Sequence, residues 1–292
     1  MRILITGARG QLGRSLEHAF AHHDVLALGR DALDVTSRAS IDRALEDNGN
    51  GRRIDTVIHC AALTDTARCE REAALARSIN GDASGSIGRA CARAGARLVA
   101  ISTNEVFRGD ATAPYPEDAP TAPINAYGLS KLDGEVMAVA TCADTLIVRT
   151  SWNYGDGATN FIEKVRAIAR EGRPLRMVTD ERSAPTSTAD LAEAIRRLLE
   201  AQAPPGVYHL PNEGEASRYD WAREILRLDG MPDIHVEPVT TPQLRAEGYA
   251  GPHKPPYSVL ANTRARALGI ALRPWQTALA GYFERAKVPA DG

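Results

Sequence analysis

The sequence predicts an α/β fold, a doubly wound parallel sheet followed by a smaller, mostly helical domain. Three observations predict it. First, short runs that are apolar almost throughout recur along the first half, at Arg2–Thr6, Asp24–Leu28, Asp55–Cys60, Arg97–Ile101 and Thr145–Arg149. Such runs suit parallel strands covered on both faces. Second, amphipathic helical stretches separate them, the first with Leu12, Leu16 and Phe20 on one face. Third, proline and glycine become frequent after residue 150, as in Arg173-Pro174, Ala203–Gly206 and Gly251–Pro256. The helical stretches left there lie near Asn160–Glu171, Thr188–Ala201, Ser217–Leu228 and Pro274–Arg285. This divides the chain into residues 1–155, a sheet domain, and 156–292, a helical cap whose short segments partly rejoin the sheet.

Composition narrows the class. A chain of 292 residues buries a large core. Its formal net charge of −2, with no basic run, leaves no footprint for nucleic acid or a membrane surface. No apolar run approaches the ~20 residues of a membrane span. The start, Met1-Arg-Ile-Leu-Ile-Thr6, reads as a buried strand and not as a signal peptide. Cys60, Cys69, Cys91 and Cys142 form no CxxC pair and no metal-ligand spacing, which suits reduced thiols in the cytoplasm.

The first strand runs into Gly7-Ala-Arg-Gly10-Gln11-Leu12-Gly13. Glycines at this spacing between a first strand and a first helix permit the tight turn, the approach of backbone to a pyrophosphate, and close helix packing. The helix N-terminus then offers free N–H groups and a positive dipole end to phosphates. The loop therefore predicts a Rossmann-type dinucleotide site. After the second strand an NAD-preferring site usually places an acid to hold the ribose 2′-hydroxyl. Here Arg30 stands there, which suits a 2′-phosphate or stacking on adenine, so NADPH is the preferred cofactor and NADH the alternative; Asp31 sits close by. Asp34, followed by Val35, reads equally as a helix cap or as a cofactor contact. Ala61, Ala62 and Leu63 follow the third strand, and small residues there let a cofactor lie against the chain. A long helix is expected from about Arg71 to Ala94. The fourth strand ends in Ser102-Thr103-Asn104-Glu105, and ligands in such sheets bind outside the carboxyl ends of the strands. The hydroxyls of Ser102 and Thr103 are thus expected in the glycine-loop crevice.

Tyr127 and Lys131, four residues apart, share a helix face. A nearby cation favours phenolate, and lowering a tyrosine pKa by ~3 units takes roughly 4 kcal/mol. A tyrosine so tuned can pass a proton to or from a sugar or alcohol oxygen.

Together, the glycine loop, Ala61-Ala62, Asn80, Ser102-Thr103 and Tyr127-x-x-x-Lys131 resemble an extended short-chain dehydrogenase/reductase. Over nearly the whole chain the likeness is strongest to the dTDP-4-dehydrorhamnose reductase family. It is carried by Asn125–Glu135, Arg149-Thr-Ser-Trp152, Ala184-Pro-Thr186 with Asp190-Leu-Ala, Gly206–Leu210 and Tyr257–Leu260. The resemblance implies reduction, by NADPH or NADH, of the C4 ketone of a nucleotide-linked 4-keto-6-deoxyhexose. It implies that Thr103 hydrogen-bonds the ketone, Tyr127 delivers the proton, Lys131 binds the nicotinamide ribose, and Trp152 forms an apolar wall for the sugar. Asn80 would be structural, supporting the lysine.

Departures surround the sugar site. The family usually reads Ser-Thr-Asp-Tyr where this chain has Ser102-Thr103-Asn104-Glu105, so Asn104 and Glu105 are the residues expected to alter the substrate. Leu63–Ala67 also departs from the usual Tyr-Thr-x-Val-Asp. Ser15 stands where members with a magnesium-linked dimer carry glutamate, so no structural metal is expected; the oligomeric state stays open between monomer and homodimer. Lys254, Arg182 and Arg223 are candidates for the substrate's pyrophosphate, each also readable as a surface charge. Trp221 reads as core, and Pro185-Thr186 as a helix cap or a pocket wall. Two other readings stay open: a nucleotide-sugar epimerase or dehydratase, disfavoured by a single carboxylate at Asn104-Glu105, and a non-catalytic NADP-binding regulatory subunit.

Overall fold

The computed structural model describes residues 1–46, 53–157 and 160–287. Six parallel strands form the central sheet: β1 (Arg2–Thr6), β2 (Asp24–Leu28), β3 (Thr56–His59), β4 (Arg97–Thr103), β5 (Thr145–Thr150) and β6 (Gly206–His209). Their order is β6-β5-β4-β3-β1-β2. The chain reverses direction across the sheet between β1 and β3, the kind of switch point where such sheets open a crevice. Thr6 pairs with both Leu28 and His59, so the carboxyl ends of the three strands beside the crevice are level.

The main helices are α1 (Gln11–Ala19), α2 (Arg38–Glu46), α3 (Ala83–Ala94), α4 (Ala126–Thr141), α5 (Phe161–Arg170), α6 (Thr188–Glu200), α7 (Arg218–Leu228) and α8 (Trp275–Lys287). Both sheet faces are covered, which explains why the strands read as unbroken apolar runs. Ile3, Ile5 and Val99 face one core with Leu16 of α1 and Ile195 of α6. Leu4, Val57 and Leu98 face the other with Ile41, Ile87 and Ala138 of α2, α3 and α4. A third core joins α5, α7 and α8 around Trp221, which is fully buried and stacked on Phe161 at 4.5 Å between ring centroids.

Several elements differ from the sequence reading. The expected helix from Arg71 to Ala94 begins earlier and is broken, as Thr66–Arg71, Ala73–Ala76, a single π turn over Arg77–Asp82, and then α3. The π turn has a packing reason. The backbone carbonyl of Asn80 comes so close to α4 that a Cβ on Gly134 would lie 2.3 Å from it. Short strand pairs also appear in the second half: Asn153–Tyr154 with Thr186–Ser187, Arg182–Ser183 with Ala216–Ser217, and Leu175–Val178 with Val236–Val239. Two-residue strands have no periodicity to read. Thr186 lies in one of them, and the cap of α6 is Ser187. Among the described residues no helix is long and apolar enough to cross a membrane.

Candidate active site

A cavity of about 740 Å³ runs along the carboxyl ends of the strands, from the glycine loop to Trp152 and Lys254. At one end Gly7 has φ +67°, and a Cβ there would meet the Ala61 backbone nitrogen at 2.7 Å. A Cβ on Gly13 would lie 2.5 Å from Cα of Ala8, so only glycine lets α1 sit this close to the loop. Gln11, Leu12 and Gly13, the first turn of α1, line the cavity. Gln11 Oε1 is buried there with no hydrogen-bond partner among the described residues. An amide-rich helix end, a glycine cradle and an orphaned acceptor fit a dinucleotide.

At the far side of this end stand Arg9, Arg30, Asp34 and Val35. Asp31 is drawn away by Arg9 at 2.7 Å, so the acid beside Arg30 is already paired with a cation. Asp34 accepts from the Thr36 N–H and hydroxyl, at 2.9 and 2.7 Å, which hold its carboxyl below the usual range. It therefore closes a turn while lining the cavity.

Ala61, Ala62 and Leu63 form the floor. Leu63 is fixed by Asn80, whose side chain accepts from the Leu63 N–H at 2.8 Å and donates to its carbonyl at 3.0 Å. The same amide donates to Ser130 Oγ at 2.9 Å, and Ser130 donates to the Tyr127 carbonyl. Asn80 thus ties the end of β3 to α4. Its link to the chemistry runs through these bonds, and it does not line the cavity.

Thr103, Tyr127 and Lys131 all line the cavity. The Thr103 side chain lies near enough to the Tyr127 phenol to hold its pKa down. Tyr127 is set by the start of α4, where Asn125 caps the helix by accepting from the Gly128 N–H at 2.7 Å. A Cβ on Gly128 would lie 2.1 Å from the Glu105 carbonyl oxygen. Overpacking of this kind costs about 1–3 kcal/mol. Gly128→Ala is expected to shift the first turn of α4, lowering both the melting temperature and turnover; equal thermal stability and turnover would disprove the contact.

The four-residue spacing suggested that Lys131 lowers the tyrosine pKa. The structure reverses that expectation. Burial pushes the Tyr127 phenol up, the Glu105 carboxylate adds to the rise, and only Thr103 opposes it. Lys131 is buried, with its own pKa pushed down to about 8 by desolvation and held up by Glu135 and Cys60.

Two neighbours have other employment. Ser102 lines the cavity, but its hydroxyl donates to Glu135, away from a ligand. Asn104 is buried. Its amide donates to Ser258 Oγ at 2.7 Å, the Ser258 carbonyl at 3.3 Å and Ser183 Oγ at 3.0 Å, and its Oδ1 accepts from Thr103. An aspartate, which only accepts when ionised, could not donate to that carbonyl. Asn104 therefore binds two distant segments together.

At the sugar end stand Glu105, Trp152, Arg218 and Lys254. Trp152 has φ +42°, a strained backbone for a non-glycine residue, which costs on the order of 1–3 kcal/mol. Its indole carries the Arg218 guanidinium, 3.7 Å from the ring centroid. Arg218 was not evident as a site residue. The available signal was its position, a cation in the first turn of a helix, where the dipole disfavours it. Burial lowers its pKa to about 10, and Glu181 and Glu105 oppose that. Arg182 is instead paired with Glu215 at 2.8 Å, and Arg223 lies against Tyr219; neither reaches the cavity. Ser15 bonds Thr188 Oγ1 at 2.8 Å, and no cluster of three or more potential metal ligands occurs among the described residues.

A parallel sheet with a glycine loop at its switch point and a cavity along its carboxyl ends is the frame of an NAD(P)H-dependent oxidoreductase. Residues 1–288 match the family model described as RmlD substrate binding domain. The chain is 38% identical to a dTDP-4-dehydrorhamnose reductase of Streptomyces griseus, over 100% of this chain and 97% of the relative. It is 38% identical to a probable dTDP-4,6-dihydroxy-2-methyloxan-3-one 4-ketoreductase of Streptomyces antibioticus, over 97% and 95%. It also superposes on the crystal structure of dTDP-4-dehydrorhamnose reductase from Bacillus anthracis in complex with NADP, with TM-score 0.90, 33% identity, and 97% and 99% coverage. The chain belongs to the dTDP-4-dehydrorhamnose reductase family.

Proposed function

We propose that this protein uses NADPH to reduce the C4 ketone of a nucleotide-linked 4-keto-6-deoxyhexose, in deoxysugar biosynthesis in the cytoplasm. The observation that carries the reading is a single cavity that begins at a dinucleotide loop and is lined by both Thr103 and Tyr127. When bound, NADPH supplies the hydride. Gly7, Gly10, Gln11, Leu12 and Gly13 would hold its pyrophosphate, and Arg30 with Arg9 its 2′-phosphate. Ala61, Ala62 and Leu63 would bed its backbone, and Lys131 would bind the nicotinamide ribose. The ketone oxygen would accept from Thr103 and Tyr127. A phenol held above its ordinary pKa keeps its proton at neutral pH, the form needed to give that proton to the forming alkoxide. Trp152 would wall the sugar, and Arg218 and Lys254 would face the diphosphate. The NADP bound by the Bacillus anthracis protein supports this choice of cofactor. The four cysteines, all free, suit a reducing compartment.

The test is consumption of NADPH and NADH with a panel of 4-keto-6-deoxy sugar nucleotides. Turnover of at least one is expected, and none in a folded, NADPH-binding protein would defeat the reading. Arg30→Ala is expected to raise KM for NADPH about tenfold, equivalent to ~1.4 kcal/mol, with little change for NADH. Equal effects on the two cofactors would remove Arg30 from phosphate recognition.

A further inference from the structure

Glu105 places a carboxylate beside the reacting pair, where it would repel the oxyanion forming on a ketone. Its position is tightly set. Its N–H donates to Thr103 Oγ1 at 3.2 Å, and its Oε2 accepts from Asn125 Nδ2 at 2.7 Å. The same Asn125 nitrogen donates to the His253 carbonyl at 2.9 Å, and its Oδ1 caps α4. The carboxylate is thus held by the same side chain that caps the helix carrying Tyr127. Its other oxygen, Oε1, has no donor among the described residues, and Glu105 lines the cavity together with Thr103 and Tyr127. Its charge supports that of Arg218, but no hydrogen bond to Arg218 or Lys254 occupies it among the described residues. A fixed, half-satisfied carboxylate facing open space calls for a donor from the ligand.

The chemistry of the ligand, on the reading proposed above, tells which donor this is. With the ketone oxygen on Thr103 and Tyr127, the carbons that flank C4 are the next ones out from the reacting pair, and their substituents would come within reach of a carboxylate that borders the same cavity. C5 carries a methyl group and the ring oxygen, and neither can donate. C3 carries the remaining donor. We propose that Glu105 is a specificity-determining residue that accepts a hydrogen bond from a hydroxyl or ammonium group on C3, so that 3-deoxy ketones are excluded.

Three nucleotide-linked 4-keto-6-deoxy sugars test this, with a hydroxyl, an amino group or hydrogen at C3. Sites built to bond a substrate donor reject analogues lacking it strongly, so the 3-hydroxy sugar is expected to exceed the 3-deoxy sugar by about 100-fold or more in kcat/KM. Glu105→Ala is expected to bring the two within a few-fold of each other, because a merely structural loss would lower both alike. Glu105→Gln keeps the Asn125 bond, and thus the fold, but removes the charge; it is expected to lose selectively any turnover of the amino sugar. A discrimination ratio unchanged in both variants would overturn the assignment. So would equal turnover of the 3-deoxy and 3-hydroxy sugars by the unaltered protein. Failure of every ketone would instead defeat the reductase reading, so the two failures are distinct.

Discussion

Tyr127→Phe is expected to reduce ketone turnover by about 10²–10⁴-fold, equivalent to roughly 3–5 kcal/mol of transition-state stabilisation. The variant loses the proton supply. The phenol lines the cavity together with Thr103, and burial together with Glu105 raises its pKa and keeps its proton in place. Phenylalanine preserves the ring that seats the first turn of α4 and removes only that proton. NADPH affinity is therefore expected to stay within about twofold, and the melting temperature within a few degrees, because a neutral hydrogen bond contributes only about 1 kcal/mol. Steady-state rates and a cofactor-binding titration on the same preparation separate these effects. Undiminished turnover would show that Tyr127 is not the donor and would revive the regulatory-subunit reading. A fall in NADPH affinity matching the fall in turnover would assign Tyr127 to cofactor binding.

How much of this site can be read from residues alone depends on the range of the interaction. The glycine loop is legible because its mechanics are local. Gly7 needs a positive φ, and Gly13 needs the absence of a Cβ, within seven residues of one another. The five strands from Arg2 to Thr150 are legible because both faces are buried, which leaves unbroken apolar runs. Tyr127 and Lys131 are legible as a spacing but not as an electrostatic pair. The sign of the phenol's shift depends on Glu105 and on burial, both set by tertiary packing. Ser102 and Asn104 were legible as a polar cluster after a strand, but their partners lie 33 and 154 residues away, at Glu135 and Ser258. The π turn at Asn80 was hidden for the same reason, since its cause is the approach of Gly134 on another helix. Arg218 left only a weak trace, a cation at the wrong end of a helix, and its meaning appears only when Trp152 is seen beneath it.

The largest effect on stability is expected from a residue with no part in the chemistry. Arg149 lies at the end of β5 with its side chain 5% exposed, against Glu135 at 8%. Its Nε and Nη2 donate to the two carboxylate oxygens at 2.9 and 2.7 Å, and Ser102 adds a third bond to Glu135. Arg149 also donates to His209 at 3.4 Å and lies 5.1 Å from the centroid of the Phe107 ring. Burial and the Arg149 charge hold His209 neutral, with its pKa down at about 4. Arg149→Ala leaves Glu135 buried with one hydroxyl bond and the Lys131 charge as its remaining support, and breaking such a pair from one side costs roughly 3–5 kcal/mol. For a chain of this size that corresponds to a fall in melting temperature on the order of 10 °C. The double variant Arg149→Met, Glu135→Leu removes both charges and is expected to recover most of the loss, because the penalty lies in the orphaned carboxylate and not in the missing attraction. Denaturant unfolding of the single and double variants measures the difference. If the double variant is no more stable than Arg149→Ala, the strength of the pair itself, and not the stranded charge, sustains the end of β5 and the floor beneath Lys131.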